Sequence, residues 1–140
     1  MLLPPHINLE IVTPDRPLIK EQVDEVEIPA TDGYIGVLPG HTPLLAMLEI
    51  GQLWYRKGQE KFYLSIAFGF VEVLPDRVTV LAQIAERPEE IDLQRAETAR
   101  RRAQERLARP TIEMDFERAR IALMKSLIRL QVATRARTRV

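Results

Sequence analysis

The sequence contains no cysteine, so disulfide bonds and thiolate metal sites are excluded. Its two histidines, His6 and His41, lack metal-ligand spacing, and its two serines, Ser65 and Ser126, lie outside any GxSxG turn. The phosphate-binding patterns GxxxxGK[ST] and GxGxxG are also missing. No apolar run approaches the roughly 18 residues that cross a bilayer, and no secretory signal opens the chain. We therefore expect no catalytic residue, no metal site and no transmembrane segment; a small regulatory enzyme without a visible site is a minor alternative.

Charge is balanced over the whole chain but not along it, since 20 Lys and Arg residues offset 20 Asp and Glu residues. Residues 1–88 carry a net charge of −5, and residues 89–140 carry +5. This asymmetry predicts either attraction between the two parts or binding of the basic part to an acidic or anionic partner. An ordinary solvated, arginine-rich helix surface explains the same pattern.

Short segments with β character alternate with turn residues before Pro88. Gly58, Gly69 and the Pro75-Asp76 pair separate several of these segments. The pattern predicts strands at residues 6–11, 23–28, 51–55, 61–67, 68–74 and 77–82. Short strands at intervals of about ten residues favour a β-sandwich or a barrel.

No glycine follows Pro88, and the pattern becomes helical. Asp92 is suited to cap a first helix that Pro110 ends, and Thr111 or Asp115 is suited to start a second helix running toward Thr138. Two helices with a short connection usually fold back on each other. The sequence thus predicts an N-terminal antiparallel β-sandwich over residues 1–88 and a C-terminal two-helix antiparallel hairpin over residues 89–140.

The second helix has a wider apolar surface than one neighbouring helix covers. One stripe consists of Phe116, Ala119, Leu123, Leu127 and Leu130, and the other of Ile121, Met124, Ile128 and Val132. The first helix offers mainly alanines and two leucines. A further surface must cover the second helix, and either the sandwich or a different protein can supply it.

Several segments resemble the epsilon subunits of F-type ATP synthases, in family order and over nearly the whole chain. Residues 35–44, IGVLPGHTPL, resemble the family segment G-x-[IL]-G-[IVL]-x-P-x-H-[AT]-P. Residues 68–73, FGFVEV, are similar to its GGFxEV turn, and residues 91–96, IDLQRA, to its [IL]-D-x-x-R-A motif. The chain departs from the family at Phe68, where glycine is usual, and at Tyr34, where many relatives carry glutamate.

The resemblance implies a non-catalytic subunit of the central stalk that couples proton-driven rotation to ATP synthesis. Its expected partners are the gamma subunit, the c-ring and the alpha/beta catalytic head. It would be peripheral to the membrane, on the cytoplasmic face of the inner membrane or the stromal face of a thylakoid. In the family, a loop that spans residues 34–44 here faces the ring, with the candidate contacts Tyr34, Gly36, Pro39, Gly40, His41 and Pro43. Gly36 and Gly40 are expected to permit unusual backbone angles, and the prolines to stiffen the loop.

The resemblance also implies that the C-terminal helices move and restrain ATP hydrolysis. The arginines of these helices are expected to meet acidic surfaces of the catalytic subunits. No cofactor is required, but some relatives bind regulatory ATP through the [IL]-D-x-x-R-A motif. The candidate ATP-binding residues here are Ile91, Asp92, Arg95, Ala96, Arg102 and Arg129. Asp92 has a second interpretation as a helix cap.

A nucleic-acid-binding module that uses the arginine-rich helices is the main alternative function. Single-strand binders usually provide aromatic side chains on which bases stack, and none lies among these arginines. Acidic residues also interrupt the basic face. The sequence therefore favours the interpretation without nucleic acid.

Overall fold

The computed structural model describes residues 2–138, and their side chains as far as Arg135. The chain divides into two compact units, one ending at Glu86 and the other beginning at Arg87. The first unit contains the strands β1 Ile7–Val12, β2 Pro17–Val23, β3 Glu25–Ala30, β4 Gly33–Val37, β5 Leu44–Leu48, β6 Gly51–Lys57, β7 Glu60–Leu74 and β8 Arg77–Glu86. The second unit contains a 3₁₀ turn, Pro88–Glu90, and the helices α1 Leu93–Ala108 and α2 Phe116–Thr138.

The strands form two layers that share the long strand β7. In one layer β7 pairs with β6 over residues 60–66, and β6 pairs with β3, which pairs with β4. In the other layer β7 pairs with β5 over residues 69–73, and β8 joins β7 to β1 and β2. The pairing of β1 with β8 is parallel, and the other pairings are antiparallel. The predicted sandwich is confirmed.

Strand β7 changes layers at a sharp bend, where the sequence predicts two separate strands. Phe68 has φ 62° and Gly69 has φ 126°, so both lie in the region that side chains disfavour. A β-carbon on Gly69 would collide with the carbonyl oxygen of Leu81 on the neighbouring strand. The predicted break between residues 67 and 68 is therefore a bend within one strand of 15 residues.

Three strands were missed by the sequence prediction. Strand β2 is an edge strand with charged residues near its centre, which weakens an alternating apolar pattern. Strands β4 and β5 include residues 34–37 and residue 44 of the segment that was expected to be one loop over residues 34–44. That expectation was wrong, because only residues 38–43 connect these two strands.

The sandwich core is a single cluster of large aliphatic side chains. The core forms because every second side chain of a strand faces inward, as in β1, where Ile7, Leu9 and Ile11 are buried and alternate with outward-facing residues. The rings of Tyr55 and Phe62 stack with centroids 5.0 Å apart at the edge of the cluster. At roughly 1.5–3 kcal/mol for each buried aliphatic side chain, this cluster is the main stabilising element of the first unit.

The helices begin and end where the sequence predicts. The Asp92 carboxylate accepts a hydrogen bond from the Arg95 backbone N–H at 3.1 Å, and α1 ends before Pro110. The Asp115 carboxylate accepts one from the Arg118 N–H at 3.0 Å, so Asp115 rather than Thr111 starts α2. The two helices pack against each other, and α2 also contacts the 3₁₀ turn.

The buried residues of the two helices are mostly small, and Val132 on α2 is the largest of them. Ala96 and Ala103 are buried on α1, and Ala119, Ser126 and Ala133 are buried at intervals of seven residues on α2. Most members of the two predicted apolar stripes are only half-buried, and Phe116 and Leu127 are exposed. Among the described residues, no helix is long and apolar enough to cross a membrane.

Candidate binding surfaces

The connection between β4 and β5 is a short loop held by backbone hydrogen bonds. The His41 N–H donates to the Leu38 carbonyl at 3.2 Å, and the Gly40 N–H donates to the Pro75 carbonyl at 2.7 Å. Gly40 has φ 86°, as expected for a glycine that the turn requires. A β-carbon there would lie 2.5 Å from Cδ2 of Leu3, so the N-terminal segment packs on this loop.

The imidazole of His41 is hydrogen-bonded within the loop. Its Nδ1 lies 2.6 Å from the Thr42 carbonyl oxygen, which requires Nδ1–H to donate. The side chain is half-buried. One of the two ring nitrogens therefore orients the ring, and only Nε2 is left for a contact outside the loop.

Tyr34 and Gly36 do not belong to this loop. Both lie on β4, where Tyr34 pairs with Pro29 and Gly36 pairs with Glu27. Gly36 does not have a positive φ, so the expectation that it permits unusual backbone angles was wrong. Nothing would touch a β-carbon at Gly36. The six candidate contacts thus fall into two places: Tyr34 and Gly36 on β4, and Pro39, Gly40, His41 and Pro43 beyond its end.

An exposed apolar row crosses the outer face of the layer that contains β5, β7 and β8. Met47 pairs with Phe70, and Phe70 pairs with Leu81. These three side chains are 56%, 52% and 52% exposed, and Leu45 on the same face of β5 is 71% exposed. Several adjacent large apolar side chains in water are unusual for a surface without a partner. The sequence analysis identified the strands of residues 68–74 and 77–82 but neither β5 nor this row, although Phe70 and Leu81 alternate with the buried Val71 and Val80.

The candidate ATP-binding residues lie in the second unit and are not equally available. Ala96 is fully buried and Ile91 is 8% exposed, so both serve packing. Asp92 and Arg95 are exposed at the start of α1, and Arg102 is exposed two turns further along the helix. An open depression of about 770 Å³ is lined by Arg102, Glu105, Arg106, Ala108 and Arg109. Of the six candidates only Arg102 lines it.

Two of the arginines that were expected to meet acidic partners are engaged on their own helices. Arg100 forms an ion pair with Glu97, and Arg120 forms one with Glu117. The hydrogen bonds from Arg100 lower the pKa of Glu97, and those from Arg120 lower the pKa of Glu117. Arg101, Arg106 and Arg118 are exposed. Within the described residues, no group of three His, Cys, Asp or Glu side chains is placed to hold a metal ion.

Comparison with protein families gives matches to both units. Residues 6–88 match the model "ATP synthase, Delta/Epsilon chain, beta-sandwich domain", and residues 89–134 match "ATP synthase, Delta/Epsilon chain, long alpha-helix domain". The chain belongs to the ATP synthase delta/epsilon family. The resemblance noted in the sequence is therefore confirmed.

Individual delta/epsilon relatives are similar in sequence to this chain over almost their full length. The chain is 49% identical to the ATP synthase epsilon chain of Solibacter usitatus over 94% of this chain and 98% of the relative. It is 47% identical to the epsilon chain of Herpetosiphon aurantiacus over 95% of this chain and 98% of the relative. The predicted assignment as an epsilon subunit is confirmed at the level of family.

Solved structures show the same fold. A chain in the Euglena gracilis mitochondrial ATP synthase structure of OSCP, F1 and c-ring is similar with a TM-score of 0.79 and 26% identity, over 99% of this chain and 84% of that chain. A chain in the central stalk and c-ring structure of Tetrahymena thermophila ATP synthase has a TM-score of 0.54 and 12% identity, over 93% and 95% of the two chains. The second likeness shows the fold alone.

For this delta/epsilon-family chain, the structure separates residues that the sequence grouped together. Tyr34 lies away from the His41 loop, and the ATP candidates divide into buried and exposed residues. The sequence of β7 and β8 could have predicted the apolar row, because large apolar residues occupy both the buried and the outward-facing positions of these strands.

Proposed function

We propose that the sandwich attaches this chain to the rotor of an ATP synthase and that the two helices restrain ATP hydrolysis. The partners are the gamma subunit, the c-ring and the alpha/beta catalytic head. The observation that carries this proposal is the apolar row of Met47, Phe70 and Leu81, which is laid out across three paired strands. A rigid sheet that exposes adjacent apolar side chains loses little entropy on docking.

The role is one of binding and regulation, without chemistry of its own. The surfaces described above are apolar on the sandwich and cationic on the helices, and both suit association with other proteins. Exposed ion pairs contribute under about 1 kcal/mol each, so the arginines act through their sum and through steering. The buried residues of the helical unit are mostly alanine, so a change in the arrangement of the helices exposes little apolar area.

Removal of the helices tests the division of roles. A chain of residues 1–88 should still assemble with an ATP synthase from which this subunit has been depleted, and ATP hydrolysis should rise above that of the full-length complex. The full-length Phe70→Ser variant should instead fail to assemble. A truncated chain that assembles but leaves hydrolysis unchanged would contradict the regulatory role, and normal assembly of the Phe70 variant would contradict the rotor surface.

We also propose that the helical unit binds regulatory ATP through the exposed Asp92, Arg95 and Arg102 and the half-buried Arg129. Arg95, Arg102 and Arg129 supply cationic groups for phosphates, and Asp92 accepts a hydrogen bond from the base or ribose in addition to capping α1. Ile91 and Ala96 support this site by packing. Titration calorimetry with millimolar MgATP should give heat that Arg95→Ala abolishes and that Arg101→Ala, a matched exposed arginine, preserves. Absence of heat from the unmodified chain would refute ATP binding.

The location of this chain follows from the location of the ATP synthase to which it is proposed to belong. We propose that the chain lies on the cytoplasmic face of the inner membrane, or on the stromal face of a thylakoid, attached only through its partners. It should sediment with membranes that contain the ATP synthase and be released when the catalytic head is stripped. Retention on membranes that lack the complex would contradict attachment through partners.

A further inference from the structure

The segment that precedes β1 lies against the connection between β4 and β5. A β-carbon added to Gly40 would be 2.5 Å from Cδ2 of Leu3 and 3.4 Å from its Cγ, so the leucine side chain rests directly on the glycine. Residues 39–41, at the centre of the connection, are half-buried, whereas Leu38 and Thr42 on either side are exposed. Leu3 therefore covers part of the centre of this connection.

Further contacts hold the same segment at the start of β1. Nδ1 of His6 lies 3.0 Å from a carboxylate oxygen of Asp24, which follows β2. The backbone N–H and the side-chain Nδ2 of Asn8 both donate to the carbonyl oxygen of Asp76, at 2.8 and 3.2 Å. Between Leu3 and His6, two prolines fix their own φ angles. Residues 2–6, which we call the N-terminal strap, are thus held at Leu3 and at His6 and are stiff between them.

The turn between β7 and β8 supports both the start of β1 and the loop of residues 38–43. The Pro75 carbonyl accepts a hydrogen bond from the Gly40 N–H at 2.7 Å, and the next carbonyl, that of Asp76, accepts those from Asn8. Gly40 has φ 86°, and glycine has more backbone freedom to lose than any other residue. A contact from outside the loop therefore reduces the number of conformations that Gly40 adopts.

We infer that the N-terminal strap holds the loop of residues 38–43 in one conformation, with Leu3 as the positioning residue. Leu3 is 72% exposed, so its contact with Gly40 is small and opening of the strap requires little free energy. The loop includes Pro39, His41 and Pro43, and the surface that these residues present depends on a distant part of the sequence. The strap acts in this way in the free chain, whether or not the loop contacts the rotor.

Hydrogen exchange of the full-length chain, followed by NMR at the Gly40 and His41 amides, tests the strap. Deletion of residues 2–5 should accelerate exchange at Gly40 by about tenfold, and Leu3→Ser by about threefold, because a partly buried leucine contributes only a fraction of its full burial energy. Leu3→Met keeps an apolar contact and should restore most of the protection. Leu2→Ser is the matched control, since Leu2 is 96% exposed, and it should leave the exchange unchanged.

A double-mutant cycle tests whether Leu3 and His6 act through one segment. His6→Ala should also accelerate exchange at Gly40, and it should have no further effect once Leu3→Ser has opened the strap. His6→Asn retains a donor for the Asp24 carboxylate and should restore the protection. The Gly58 N–H donates to the same carboxylate at 2.7 Å, so unchanged exchange at Gly58 shows that Asp24 stays in place.

Four results would overturn the strap. Unchanged exchange at Gly40 after deletion of residues 2–5 would mean that the loop is ordered by its own prolines and hydrogen bonds. Faster exchange in β7 as well would mean that the deletion loosens the whole sandwich. Equal effects of Leu2→Ser and Leu3→Ser would mean that the contact with Gly40 is not specific, and independent effects of His6→Ala and Leu3→Ser would mean that the two residues do not act together. Each of these results leaves the proposed rotor attachment to the separate test with Phe70→Ser.

Discussion

The sandwich and the helical unit are stabilised by different kinds of contact. In the sandwich, a cluster of 20 buried residues includes Ile, Leu and Val side chains from both layers. In the helical unit the buried residues are mostly alanine, with one serine, one valine and one isoleucine. Stabilisation grows with the apolar area removed from water. A buried residue therefore stabilises the helical unit less, on average, than a buried residue stabilises the sandwich. The sandwich therefore suits a fixed attachment, and the helical unit suits a change of arrangement.

Gly69→Ala should have the largest effect, because it alters the bend on which both layers of the sandwich depend. The added β-carbon would meet the Leu81 carbonyl oxygen, and the backbone has φ 126°. We expect the free energy of unfolding to fall by about 3 kcal/mol or more, measured by chemical denaturation. Gly36→Ala is the matched control, since its β-carbon meets nothing, and it should change stability by under about 0.5 kcal/mol. Similar values for the two variants would contradict this account of the bend.

A pair of leucine substitutions compares the two units directly. Leu64 is 1% exposed in the sandwich core, and Leu127 is 44% exposed on α2. Leu64→Ala should cost about 2–5 kcal/mol, and Leu127→Ala under about 1 kcal/mol, in denaturant titrations of the full chain. If Leu127→Ala proved as costly as Leu64→Ala, the helical unit would be as firmly packed as the sandwich.

Phe68 tests whether the family departure at this position carries strain. Its φ of 62° is disfavoured for any residue with a β-carbon. Phe68→Gly and Phe68→Ala both remove the ring, so their difference isolates the backbone. The glycine variant should be more stable than the alanine variant by about 1 kcal/mol, the reverse of the usual order within strands. Thermal melting of the two proteins gives the sign, and a more stable alanine variant would exclude strain.

Asp92→Ala should loosen the helical unit without affecting the sandwich. Loss of the hydrogen bond to the Arg95 N–H removes the N-cap of α1, at a cost of about 1 kcal/mol. Hydrogen exchange of the α1 amides should accelerate while exchange in β7 stays unchanged. Asp92→Asn retains a capping acceptor and should restore most of the protection. Faster exchange in β7 as well would mean that the two units do not open separately.

The smallest effect on stability is expected from a change of pH, which acts through a polar cluster of the sandwich. Asp24 accepts hydrogen bonds from the Gly58 N–H at 2.7 Å and contacts His6 Nδ1 at 3.0 Å. The Gly58 N–H, followed by His6, holds the pKa of the Asp24 carboxyl below its usual value. A depressed folded-state pKa contributes stability above the unfolded pKa of about 3.9, and this contribution is lost as pH falls through the folded value.

Unfolding measured between roughly pH 5 and pH 2 should therefore show a loss of stability that is weaker in Asp24→Asn. The matched control is Asp15→Asn, on an exposed turn of the same unit. If Asp24→Asn and the unmodified chain lose stability in parallel, the Asp24 cluster makes no contribution.

Much of the fold followed from short stretches of sequence. The alternation in β1, the capping by Asp92 and the stop at Pro110 are all interactions between residues close in the chain, and each was predicted correctly. Strands β2, β4 and β5 were missed because their pairing partners are distant or their apolar pattern is weak. The family and the fold class were nonetheless identifiable, since the loop around His41 and the motif around Asp92 lie in family order.

The candidate surfaces were less predictable. The apolar row depends on the register that places Met47, Phe70 and Leu81 side by side on three strands. The burial of Ile91 and Ala96, which removes them as direct ATP contacts, depends on tertiary packing. The roles in rotor contact and ATP binding stay predictions.

By itself, the sequence determined most of the strands, both helices, the change from strands to helices near Pro88, and the family. These features depend on periodicity, turn residues and caps, which act over a few residues. Only the tertiary structure decided that β7 bends through Phe68 and Gly69, that the Tyr34 hydroxyl on β4 accepts a hydrogen bond from the Gln52 N–H on β6, and which apolar side chains remain in water. Those features arise between residues far apart in the chain, whose proximity is set by strand pairing and packing and not by local preference.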